Sequence, residues 1–254
     1  MTITKRQYGK GHSYYVDGVK FDGVTTLIKD GVPKPALTYW AARTVAEYVA
    51  DNLDTVTAMR DMGRGSIVAA LKETPWTARD AGAAKGTEVH ALAEKLTKGV
   101  QVDVPEPLAG YVESCVAFLG AYKVRELAVE ATVAHRKWRY AGTADLFAEI
   151  TLPTGEQVTA VLDWKTAASG VWPESALQIA AYRYAETYLD AFGAEQPVAD
   201  LNLTAGYAVW LRSDGYDLVP LDTSEQVFRA FTHVAYVARQ LANAKSWVGA
   251  AVQR

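Results

Sequence analysis

Residues 141–167 read AGTADLFAEITLPTGEQVTAVLDWKTA, and the architecture turns on this stretch. Residues 143–150 and 157–165 are rich in Thr, Val, Leu, Ile and Phe, with Pro153-Thr154-Gly155 between them as turn chemistry, which predicts a β-hairpin. Side chains alternate faces along a strand, so Asp163 and Lys165 point one way and Trp164 the other. With Asp145 delivered by the partner strand, two carboxylates and an ammonium would meet. Such a set could hold a divalent metal ion and place a base or a charge stabiliser beside it.

The composition narrows the class. At 254 residues and 50% hydrophobic content, the chain can bury a large core as one big domain or two small ones. No apolar run approaches a membrane span, and the opening MTITKRQYGKGHS lacks the apolar stretch of a signal peptide. A cytoplasmic protein without membrane contact is therefore expected. Cys115 is the only cysteine, which excludes internal disulfides, iron–sulfur clusters and multi-cysteine zinc sites. The net charge of −3 does not announce a nucleic-acid partner, although a basic groove can sit inside a neutral total.

Residues 8–28 predict a short hairpin turning at Asp17-Gly18, then an extended Val-Thr-Thr segment. Lys5, Arg6, Lys10 and Lys20 make this arm basic, and a solvated edge accounts for that as well as phosphate contact does. Residues 36–52 have helical spacing, with Trp40 assigned to the core rather than to stacking on a base. Residues 54–81 carry a further helical pattern, interrupted at Gly63-Arg64-Gly65 and at Pro75, whose Arg60, Arg64 and Arg79 read as exposed helix arginines. In a helix over 86–97, His90 and Glu94 stand four apart on one face. His90 alone reads as a polar residue at the core edge.

A proline-bounded loop leads to a helix over 108–123, and 127–136 alternates as a strand beside the hairpin, with His135 at its end. Residues 173–188 predict a helix that puts Gln178 and Tyr182 one turn apart on the same face. A second hairpin spans 201–221 around Ser213-Asp214-Gly215. A final helix over 224–244 carries Val227, Phe231, Val234, Val237 and Leu241 as its packing stripe. Strands in the middle with helices before, between and after them predict an α/β (α+β) fold. Residues 1–85 would be an N-terminal hairpin and helical elaboration packed on a core of residues 86–254, in one continuous globular unit.

Four pieces now stand in order: Gly86-x-x-x-His90, Gly142-x-x-Asp145, Asp163-Trp164-Lys165 and Gln178-x-x-x-Tyr182. In this they resemble the PD-(D/E)XK nuclease superfamily, and within it the RecB-type group of CRISPR-associated exonucleases and phage nucleases. The resemblance covers residues 86–221, and Tyr-x-x-Asp-Gly near the N-terminus is similar to phage members. It implies a restriction-endonuclease-like central mixed sheet flanked by helices. It also implies Mg²⁺ or Mn²⁺ held by His90, Asp145, Asp163 and the backbone carbonyl of Trp164. Lys165 would orient or deprotonate the attacking water and offset transition-state charge, with Gln178 and Tyr182 facing the same cleft and Glu88 and Glu94 as outer partners. The chain departs from the CRISPR-associated relatives in lacking their four iron–sulfur cysteines.

The expected function is thus a metal-dependent DNA nuclease, an exonuclease in phage replication, recombination or repair, located in the host cytoplasm. Its substrate would be single-stranded or end-bearing duplex DNA. Helices over 36–123 would roof the cleft, with Trp40, Trp76 and Tyr111 as stacking candidates. A structure-specific or nicking endonuclease and a non-catalytic nucleic-acid-binding recombination protein stay open, as do strand polarity, DNA against RNA, the number of metals and the oligomeric state. Asp163→Ala is expected to abolish cleavage and leave the protein folded.

Overall fold

The computed structural model describes residues 2–9 and 11–252; Lys10 of the basic arm lies outside them. In chain order these residues form β1 (Ile3–Tyr8), β2 (Gly11–Val16), β3 (Val19–Gly23), α1 (Val24–Gly31), α2 (Pro35–Asp51), α3 (Leu53–Ala58), α4 (Arg64–Thr97) and α5 (Ala109–Ala121). Then come β4 (Arg125–His135), β5 (Tyr140–Thr151), β6 (Gln157–Lys165), α6 (Glu174–Arg183), β7 (Thr187–Leu189), β8 (Glu195–Pro197), β9 (Ala205–Arg212), β10 (Gly215–Pro220) and α7 (Glu225–Ala242). The fold is mixed α/β, with one mixed sheet flanked by helices.

Two compact units divide the chain, Met1–Val32 with Val89–Arg254 and, separately, Pro33–Glu88. The expected cut at 85/86 falls beside the second of these boundaries, but the N-terminal hairpin belongs with the sheet rather than with the helical segment. In the larger unit the strands run β8-β7-β4-β5-β6-β9-β10, and the β1-β2-β3 meander joins through β3. Neighbours are antiparallel except β6 with β9 and β3 with β5. Phe147 and Val161 on one face pack with α1, α6 and α7, while Leu146, Leu162 and Trp164 on the other pack with α5 and the last turns of α4. A sheet covered on both faces explains why β5 and β6 read as nearly continuous apolar runs.

The hairpin registers as expected, from Leu146↔Leu162 to Thr151↔Gln157, with Gly155 at φ +88° in its turn. Beyond Leu162 the two strands part. β6 continues alone against β9 through Asp163↔Ala208 and Lys165↔Trp210, while the freed edge of β5 takes β3 at Asp22↔Tyr140 and Gly23↔Ala141. This fork positions the site.

Several local expectations change. Val24-Thr25-Thr26 is not extended but opens α1, because Val24, Leu27 and Ile28 at helical spacing are all buried and their packing outweighs β-branched propensity. Gly31 lets α1 lie on α7: a Cβ there would meet the Val234 carbonyl oxygen at 2.5 Å. The helix at Pro173 stops at Arg183, and Thr187–Leu189 pairs with β4 as a strand. On α7 the buried positions are Phe228, Phe231, Thr232, Ala235 and Ala238, whereas Val237 and Leu241 are exposed. The true stripe is rotated toward the smaller alanines, which allow close approach.

In the smaller unit α2 buries no residue, so Trp40 is half-buried rather than core. Pro75 does not interrupt α4. Proline denies the carbonyl four residues back its usual donor, and here the Thr74 hydroxyl donates to that Leu71 carbonyl at 2.9 Å.

Candidate active site

The site is built in the fork between β5 and β6. Once the ladder ends at Leu162, the Trp164 N–H has lost its strand partner, and the Asp145 carboxylate accepts it at 2.9 Å. The same Asp145 oxygen lies 3.3 Å from His90 Nδ1, brought in by α4, whose Val89 and Ala93 are buried on the sheet. The Trp164 carbonyl favours the protonated form of the His90 ring. Trp164's indole points the other way, edge-on to Phe118 at 5.8 Å, and anchors the strand.

On the opposite face of β6, Asp163 is 1% exposed and ion-paired with Lys165. Gln178 spans that pair, its amide nitrogen donating to Asp163 Oδ1 at 2.8 Å while its oxygen accepts from Lys165 Nζ at 3.2 Å. Its nitrogen also reaches the Tyr182 hydroxyl at 3.3 Å. The helix carrying both residues is fixed to its neighbours: the Tyr140 hydroxyl donates to the Ala181 carbonyl at 2.7 Å, and Arg183 donates to the carbonyls of Leu203 and Thr223. Gly142 makes room for the Tyr182 ring, because a Cβ there would meet Tyr182 Cε1 at 2.6 Å.

The electrostatics follow from this crowding. Burial, then the like charge of Asp163, hold the Asp145 carboxyl well above the ordinary range, against the Trp164 amide and Lys165. Burial works against the Lys165 charge, but Asp163 and then Asp145 outweigh it and raise its affinity for its proton. His90 is shifted down by burial first and by Lys165 second, against Asp163. Burial and the nearby carboxylates push the Tyr182 phenol far up, so it stays a neutral hydroxyl.

All the expected site residues, His90, Asp145, Asp163, Trp164, Lys165, Gln178 and Tyr182, therefore gather at one fork. Glu94 pairs with Lys98 at 2.7 Å and Glu88 is exposed. Among the described residues no three His, Cys, Asp or Glu side chains stand in a metal-holding arrangement. Each carboxylate is turned inward, Asp145 to Trp164 and His90, Asp163 to Lys165 and Gln178. The donor types, two carboxylates, a carbonyl and an imidazole, are those that Mg²⁺ and Mn²⁺ accept.

Two groups beside the fork escaped the reading of the sequence. Glu130 on β4 is half-buried with φ +50°, and its carboxyl is raised by burial and by Glu94 and Asp163, against Lys5 and Lys98. An acid inside the apolar run Ala128-Val129-x-Ala131 was the available signal. Thr143, two residues before Asp145, accepts a hydrogen bond from Lys5 Nζ at 3.0 Å. Strand alternation alone places it on the Asp145 side.

No protein-family model matches the chain, and neither does any curated protein. Among solved structures it is similar to one titled "Crystal structure of SSO0001", at 13% identity over 85% of this chain and 84% of that one, with a TM-score of 0.26. A likeness at that level carries no weight for fold or function. The chemistry of the fork has to stand by itself.

Proposed function

We propose that the chain is a divalent-metal-dependent deoxyribonuclease with a restriction-endonuclease-like core of the PD-(D/E)XK type. The observation that carries this reading is the Gln178 amide bridging Asp163 and Lys165, directly beside the fork where Asp145 meets His90 and Trp164. A structural ion pair on a strand would be worth about 0–1 kcal/mol at a surface; a buried one bridged by an amide and flanked by a second carboxylate has a costlier arrangement, of the kind found at reactive sites.

His90, Asp145, Asp163 and the Trp164 carbonyl would hold Mg²⁺ or Mn²⁺. When bound, the ion supplies a more acidic water and polarises a phosphoryl oxygen. Lys165, kept protonated by Asp163, donates hydrogen bonds to the charge that builds on the phosphate, which makes it a charge stabiliser rather than a base. Gln178 holds that ammonium in place, and Tyr182 fixes Gln178 in turn. Burial of Asp163 shields the carboxylate side of that pair from bulk water.

The decisive experiment is cleavage of labelled linear and covalently closed circular DNA with Mg²⁺, Mn²⁺ or EDTA. Metal-dependent shortening of linear DNA with the circle intact is expected for an exonuclease. Nicking of the circle before any shortening would make the enzyme an endonuclease. Lys165→Met should keep Mn²⁺ binding by calorimetry and lose about 10²–10³-fold in rate. Cleavage at the parental rate would move the chemistry elsewhere.

A further inference from the structure

The N-terminal hairpin reaches the fork through a chain of polar contacts that the cleavage machinery does not use. Lys5 on β1 and Tyr14 on β2 are directly paired across the hairpin. Both converge on Thr143 of β5, Lys5 Nζ at 3.0 Å and the Tyr14 hydroxyl at 2.9 Å from Oγ1. His12, two residues from Tyr14 on the same face, meets the Tyr14 hydroxyl with Nε2 at 2.9 Å and stands edge-on to its ring at 5.0 Å.

The charge balance of this cluster is unusual. Lys5 is half-buried, yet no carboxylate oxygen lies within 4.0 Å of its ammonium among the described residues. Its contact there is a neutral hydroxyl, and an ammonium has three protons to donate. Glu130 feels Lys5 from further away. An ammonium with protons to spare and no carboxylate beside it can take a further anion as partner. Thr143 and Asp145 stand two residues apart on one strand, about 6.6 Å, a distance that one nucleotide of extended backbone spans.

We infer that Lys5, Tyr14 and Thr143 form an anion seat for the nucleic-acid backbone phosphate adjoining the one at the Asp145–Asp163 fork. The inference rests on the nuclease reading for the identity of the strand. The Lys5 ammonium supplies the charge, the one hydroxyl of the Tyr14–Thr143 pair that does not donate to the other supplies a neutral hydrogen bond, and His12 orients the Tyr14 hydroxyl. A phosphate so held sets the register of the strand without reading its sequence.

The test is equilibrium binding of a fluorescent single-stranded oligonucleotide to the full chain, on an Asp163→Asn background so that the strand is held uncut. Lys5→Gln can keep a hydrogen bond to Thr143 but has no charge. It should weaken binding roughly tenfold, as for a lost hydrogen bond to a charged group, and reduce the slope of log K against log salt by about 0.7. Lys5→Arg should preserve that slope, and Tyr14→Phe should weaken binding with the slope unchanged. An unchanged slope in Lys5→Gln overturns the seat. Should that variant lose its thermal transition, Tyr14→Phe and Thr143→Val decide, and parental affinity in both overturns it. A parent that cuts DNA with no effect of Lys5 keeps the nuclease and removes the seat; a parent that neither cuts nor binds removes both.

Discussion

Removing the Asp163 carboxylate should cost stability as well as activity. Asp163 and Lys165 side chains are 2% and 24% exposed in their ion pair, and breaking a buried pair by deleting one partner costs about 3–5 kcal/mol. Two features lower that figure. Lys165 is a quarter exposed and keeps Gln178 Oε1 at 3.2 Å, so water and the amide solvate part of the orphaned charge. Loss of Asp163 also relieves its repulsion of Asp145. A net cost of about 2 kcal/mol remains, which for a chain of this size lowers the thermal midpoint by roughly 4–8 °C. Asp163→Ala should therefore stay folded, as a site carboxylate is expected to, but measurably weakened. Urea unfolding in EDTA of the parent, Asp163→Ala, Lys165→Met and the double variant closes a thermodynamic cycle. The double variant should regain most of the loss, because the unpaired ammonium has gone. Asp163→Ala as stable as the parent, with no coupling in the cycle, would refute the view that this pair is held at a structural cost.

Gly142→Ala puts a methyl 2.6 Å from Tyr182 Cε1 and 3.3 Å from Val24 Cγ2; overpacking of about 1–3 kcal/mol is expected, together with slower cleavage as Tyr182 shifts Gln178, and an unfolding midpoint equal to the parent's would mean that the ring has room to move. His135, 8% exposed beside Glu186 and stacked on Phe228, has its pKa lowered from 6.5 by burial and then by Lys137, against Glu186. Its folded pKa lies below the unfolded one, so its contribution is full above 6.5 and is lost as pH falls through the folded value; His135→Phe should flatten the decline in urea midpoint below that pH, and a decline as steep as the parent's would show that other groups cause it.

The sequence determined the hairpin at the centre of the molecule and the facing of its charges. Strand alternation fixes Asp163 and Lys165 against Trp164, and helical spacing pairs Gln178 with Tyr182; both are local periodicities that need no tertiary information. For the same reason the sheet-with-helices class could be read directly. Local signals misled where packing overrode them. Val24-Thr25-Thr26 has β-branched propensity, but burying Val24, Leu27 and Ile28 together stabilises more than that propensity costs. Pro75 carries a breaker's signal, but the Thr74 hydroxyl supplies the donor it lacks.

Only the tertiary structure decided how the site residues engage one another. That β5 and β6 part after Leu146↔Leu162, leaving the Trp164 N–H to Asp145, goes with β3 taking the edge of β5 that β6 leaves while β9 holds β6 along its other edge, and those strands lie far away in sequence. The inward-turned carboxylates, the Gln178 bridge across Asp163 and Lys165, and the Lys5–Thr143 contact between residues 138 positions apart have the same origin. A sequence specifies which face a side chain takes on its own element. Which distant element meets that face, and therefore which charges are buried together, is set by the packing of the whole sheet.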